Sequence, residues 1–152
     1  MSENNCYKPT NPELNGAPRA VEYELQMFLY SVECCQHLTL QRKAVIETAL
    51  LHARNLLDFF TGKPSRKNDI LAYHFVGKPL KLPYLESLRD DINKSLTHLT
   101  YSRLTPGQKY EWDLAPIKDE IEAAYTEFLK LLPKEDRVKW LPPKDSLVSH
   151  DN

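Results

Sequence analysis

At 152 residues and 41% hydrophobic composition, the chain is of single-domain size and can bury one core without a metal or a disulfide to staple it. Twenty Lys and Arg against 21 Asp and Glu leave a formal net charge of -1, which excludes a global positive field for nucleic acid, so any phosphate binding must come from a local patch. Three cysteines, Cys6, Cys34 and Cys35, form no disulfide framework and point to a reducing compartment; no apolar run approaches the roughly 20 residues of a membrane span.

Residues 1–5 also lack the basic and apolar blocks of a signal peptide, so a cytoplasmic protein without a membrane role is expected. Residues 1–18 carry Pro9, Pro12, Gly16 and Pro18 among polar neighbours and are expected to be a flexible N-terminal arm. From Pro18 to about Leu38, Val21, Leu25, Phe28, Leu29 and Val32 recur at helical spacing and predict the first helix.

The second helix, from Leu40 or Gln41 to Phe60, has the clearest pattern. Ile46, Ala49, Leu50, Ala53, Leu56, Leu57 and Phe60 fall within roughly 120° at 100° per residue. Gly62 is placed as its C-terminal cap, and Pro64 forbids continuation. The stretch from Lys63 to Lys81 is basic, with Lys63, Arg66, Lys67, Lys78 and Lys81 against Asp69, which could cap a short turn through Ile70, Leu71 and Phe75.

A third helix is expected from Pro83, with Leu85, Leu88, Ile92, Leu96 and Leu99 inward and Pro106-Gly107 at its limit. Asp113 suits the N-cap of a fourth, with Trp112 and Ile117 as a hydrophobic staple. Its core side is Ile117, Ile121, Ala124, Phe128 and Leu131, and Pro133 is expected to end it. The predicted fold is therefore all-α: a bundle of four main helices over 19–140 with a short helical insertion between the second and third, and a flexible tail at 141–152.

Polar clusters interrupt these apolar stripes. On the second helix His52 falls at one edge of the stripe and Arg54 at the other, where Asp58 is four residues on and within pairing reach. On the third, Asp91, Ser95, His98 and Ser102 share one edge, while Arg89, Asn93 and Thr100 share the other. A histidine flanked by hydroxyl and carboxylate groups can be held in one tautomer for proton transfer, or can simply be satisfied at a helix seam. Cys34-Cys35-Gln36-His37 has no second ligand pair at zinc spacing, and with four glycines and no phosphate loop no metal or cofactor is expected.

A four-helix layout with Asn93-Lys94-Ser95-Leu96-Thr97-His98 on a late helix resembles the HEPN superfamily of small bacterial helical domains. In that family an arginine, often followed by a polar residue, precedes a histidine by a few positions, and two copies meet in a dimer to form a metal-independent ribonuclease site. The resemblance implies a homodimer and an RNA partner. It casts His98 as the proton-transfer group and Asn93 in the family's arginine position; independently of the resemblance, Arg54 from the neighbouring helix is a candidate for the missing cation if the two helices pack side by side. Asn55, Lys94 and Ser95 would then contact substrate, with Lys63, Arg66 and Lys67 guiding the RNA backbone. The competing reading is a non-catalytic interaction or regulatory module, with aromatic anchors such as Tyr84, Tyr101, Tyr110, Trp112 and Trp140. Whether the chain is an enzyme stays open between these two.

Overall fold

The structure of the protein, a computed structural model, describes residues 7–35, 42–62, 68–97 and 112–141. Among them lie six helices and no strand: α1 (Asn11–Cys34), α2 (Arg42–Thr61), α3 (Tyr73–Val76), α4 (Pro83–Thr97), α5 (Leu114–Leu131) and α6 (Lys134–Trp140). The chain is all-α, as its periodicity predicts. None of the described helices is long and apolar enough to cross a membrane.

The first helix starts at Asn11 rather than near Pro18, so residues 11–18 of the expected arm are helical. Thr10 is the N-cap, and the Glu13 carboxylate accepts both the Thr10 N–H at 2.7 Å and the Thr10 hydroxyl at 2.8 Å. That is the reach-back of a capping box, which satisfies a backbone donor the helix leaves open. Pro18 sits inside α1 and is buried beside Ala17. It has no N–H for the Leu14 carbonyl, and burial of its ring in the fold is the compensation for that lost bond.

Helix α2 ends where glycine can turn the chain. Gly62 adopts a left-handed φ of 66° and its N–H returns to the Asp58 carbonyl at 3.2 Å. The segment beyond folds back over the open carbonyls of α2, with Ala72 N–H bonded to Phe59 O and Leu80 N–H to Phe60 O, both at 2.8 Å. The expected Asp69-capped turn is instead the four-residue α3, which begins after Ala72 and is closed by Gly77 at φ 71°.

Helix α4 opens at Pro83, and its first N–H groups are capped from another helix. Glu120 on α5 accepts from Tyr84 N at 2.9 Å and Leu85 N at 2.8 Å, placing a carboxylate at the positive end of the α4 dipole. Asp113 caps α5 by accepting from Ala115 N at 3.1 Å.

The core is made of Val21, Phe28 and Val32 of α1, the predicted stripe of α2 from Ala49 to Phe60, Leu85 and Ile92 of α4, and Ile117, Ile121 and Phe128 of α5. One expectation at the far end is corrected and another is extended. Leu131 is 38% exposed and Leu132 is the buried residue, at 3%. Pro133 does end α5, but it then serves as the N-cap of α6, which returns Trp140 to the core. Phe128 meets Phe59, Phe60, Phe75, Tyr125 and Trp140 at ring centroid distances of 4.7 to 6.4 Å, mostly edge to face. The buried Tyr125 hydroxyl donates to the Trp140 carbonyl and fixes the end of α6. Burial pushes its phenol up to about 12, with the negative charge of Glu22 adding to the shift, so it remains a donor at every ordinary pH.

Replacing Phe128 by Ala should lower stability by about 3–5 kcal/mol in a urea titration, because a ring shared among α2, α3, α5 and α6 leaves a cavity that no single helix can fill. The Tyr7 hydroxyl, with the Thr10 N–H and hydroxyl, holds the Glu13 carboxyl at about 2, well below its ordinary 4.5. Its contribution to the start of α1 is complete above the ordinary value and lost as pH falls through about 2. Carbon-detected NMR titration of Glu13 should therefore show a midpoint near the lower figure, and Glu13→Gln should fray the first turn at neutral pH.

Candidate functional site

The apolar stripe of α2 has two polar edges, and each meets a different helix. On the α1 side His52 is 7% exposed, and its Nδ1 lies 2.7 Å from Glu24 Oε2. The Asn55 amide donates to the same Glu24 oxygen at 3.0 Å. The edge of the Tyr23 ring meets the His52 imidazole, centroids 5.8 Å apart. A half-buried carboxylate that accepts from two side chains three residues apart on one helix fixes the axial offset of α1 against α2. Glu24 carries no motif that marks it in the sequence; its place on α1 opposite two polar residues of α2 emerges only from packing.

On the α4 side Asp58 pairs with Arg89, Nη1 to Oδ1 2.5 Å, with both side chains largely buried. Arg89 also reaches Glu86 at 3.4 Å and the Thr61 hydroxyl at 3.5 Å. The pairing of Arg54 with Asp58 along α2 is thus replaced by a cross-helix partner. A guanidinium arriving from α4 meets Asp58 inside the seam, where a shielded charge-assisted bond is stronger than an i,i+4 contact on a helix surface. Burial works to lower the Arg89 pKa, but its bond to Asp58 and the charges of Asp58 and Glu86 outweigh that and raise it, so the guanidinium stays charged.

Helices α2 and α4 run in opposite directions along this seam. Leu80, before α4, is tied to Phe60, and Arg89, further on, is tied to Asp58, so the α4 number rises as the α2 number falls. One turn beyond the Asp58–Arg89 pair, that register brings Arg54 and Asn93 to the same level. Both are half-buried, and Arg54 Nε is a buried donor without a hydrogen-bond partner among the described residues.

Of the residues the sequence singles out, Arg54 and Asn93 therefore share the α2–α4 seam. Asn55 does not join them: it lies on the opposite edge of α2 and is engaged by Glu24, which corrects the grouping of Asn55 with Arg54. Lys94 is exposed on α4, next to Asn93, and Ser95 falls within the same helix. His98, Lys63, Arg66 and Lys67 lie outside the described residues. Comparison with protein-family models, curated proteins and solved structures finds no match to this chain.

A double-mutant cycle with Asp58→Ala and Arg89→Ala should give a coupling of about 1–2 kcal/mol in denaturant unfolding, above the value for an exposed ion pair because both side chains are shielded. A coupling indistinguishable from zero would mean that this seam is held by its apolar residues alone.

Proposed function

We propose that this chain is a HEPN-like cytoplasmic protein in which α1, α2, α4 and α5 make a four-helix bundle, α3 is its insertion, and the α2–α4 seam is an RNA-directed site. The observation that carries the reading is the antiparallel register that sets Arg54 level with Asn93 while its buried Nε lacks a partner among the described residues. The cation missing from the Asn93 position is then available from the adjacent helix. A guanidinium donor with spare hydrogen-bonding capacity is suited to a phosphate oxygen, which it meets with charge and direction together.

In such a site His98 moves a proton between the ribose 2′-hydroxyl and the leaving oxygen. The 2′-oxygen attacks phosphorus, the bond to the 5′-oxygen breaks, and the products are a 2′,3′-cyclic phosphate and a 5′-hydroxyl. No metal takes part. Arg54 and Lys94 stabilise the charge that builds on the phosphate, and Asn93 orients it without neutralising it. Lys63, Arg66 and Lys67 guide the backbone through phosphate contacts.

A second reading, a non-catalytic interaction or regulatory module, draws on the exposed aromatic surface of α1. Tyr23 and Tyr30 are 56% and 63% exposed and seven residues apart, so they share one helix face, and Leu51 of α2 is exposed as well. Such a face suits a second copy of the chain or another protein, and a homodimer is compatible with both readings.

Purified protein incubated with RNA in excess chelator should generate cyclic phosphate ends. His98→Ala should slow that cleavage by about 10² or more, and Arg54→Ala should slow it more than Arg54→Lys does. RNA left intact and unbound by the wild-type protein, together with a dimer that Tyr30→Glu disperses in sedimentation, would replace the nuclease reading with the interaction module.

A further inference from the structure

A cavity of about 360 Å³ lies away from the α2–α4 seam, walled by the first turns of α1, by α3 and by α6. Its size is that of a small-molecule site, and its lining divides by chemistry. Phe75 and Trp140 supply aromatic surface, their rings edge to face at 4.9 Å. Asn11 and Asn15, one turn apart on α1, supply amide donors and acceptors.

The charged members of the wall cancel. Lys139 Nζ lies 2.8 Å from Asp136 Oδ1, so an anion would have to compete with Asp136 and a cation with Lys139. Burial pushes the His74 imidazole below its ordinary value, so at neutral pH it offers one nitrogen donor and one nitrogen acceptor. Pro18 and Leu14 are both in the wall, and Pro18 provides no N–H for the Leu14 carbonyl, which leaves the helix one acceptor in excess beside the cavity.

We propose that this cavity binds an uncharged nitrogen heteroaromatic of one or two rings, held by its faces or edges against Phe75 and Trp140 and by its polar rim against Asn11, Asn15 and His74. A flat neutral ring carrying both donors and acceptors matches a wall that combines aromatic, amide and imidazole groups and carries no net charge. A purely hydrocarbon ring would leave the amide and imidazole groups unpaired, and a charged ring would lose solvation that the paired Asp136 and Lys139 do not restore.

The inference does not rest on the RNA reading, and its test is separate from nuclease activity. Adenine, nicotinamide, benzene and benzoate would be titrated into the full chain by calorimetry, with NMR shifts followed at the Asn15 amide, the His74 imidazole and the Trp140 indole. Adenine or nicotinamide should saturate with shifts concentrated at those three groups, and benzene and benzoate should bind at least tenfold more weakly. Asn15→Ala, a substitution on an exposed helical position, should weaken binding by about tenfold with the fold intact. Leu14→Trp, which fills the space, should abolish it. No saturable shift with either heteroaromatic, equal binding of benzoate, or affinity unchanged in Asn15→Ala would each overturn the proposal.

Discussion

The last turn of α2 is the constraint from which the remaining architecture follows. Within four residues it gives Asp58 to Arg89 of α4, the rings of Phe59 and Phe60 to the aromatic cluster, and the carbonyls of Phe59 and Phe60 to Ala72 and Leu80. A helix C-terminus normally hands its open carbonyls to water. Here those of Phe59 and Phe60 are met by Ala72 and Leu80, so that α3 packs against the core and α4 begins beside the end of α2. Gly62, left-handed at φ 66°, closes α2 just ahead of these bonds.

Because α2 is flanked by α1 on one polar edge and α4 on the other, its charged residues serve two interfaces that do not communicate through shared side chains. Glu24, His52 and Asn55 lock one, and Asp58, Arg89 and Thr61 the other. Both networks cost desolvation, and apolar packing of equal volume could hold the helices together as firmly. Their contribution is to register, since Glu24 sliding by one turn would lose His52 and Asn55 together. A fixed register matters most where chemistry needs two helices to present groups at one level, as Arg54 and Asn93 are.

What is legible in the sequence follows from what local rules can see. The α2 stripe, Gly62, the Pro83 start and the Asp113 cap are all set by residues within a turn of one another, and each is where the pattern places it. The Thr10–Glu13 spacing was an equally local signal for the start of α1, masked by the density of prolines around it. Pro133 reads as a terminator, yet a proline that ends one helix can open the next, and the pull that makes α6 worthwhile is the distant aromatic cluster that receives Trp140. Partner choice was least legible. Asp58 has a candidate on its own helix and a better one on α4, and only the packed seam decides between them. Of the candidate site, periodicity places Arg54 and Asn93 each at an edge of its own helix stripe but not against one another, whereas Glu24 gives no sign of itself and His98 falls outside the described residues.

Helix α6 has seven residues, too few to persist alone in water, so its order is borrowed from the Trp140 indole and from the Tyr125 hydroxyl that grips the carbonyl of the same residue. A short segment whose ties are the Trp140 and Tyr125 contacts at one end and the bonds from Arg137 to the Leu132 and Lys130 carbonyls at the other opens more readily than the bundle beneath it unfolds. When α6 swings away it takes Asp136, Lys139 and Trp140 with it, and so removes a whole wall of the cavity beside α1 and α3. Amide protection along 134–140 and occupancy of that cavity are therefore two readings of one equilibrium: whatever fills the space slows hydrogen exchange in α6, and whatever loosens α6 weakens what fills the space.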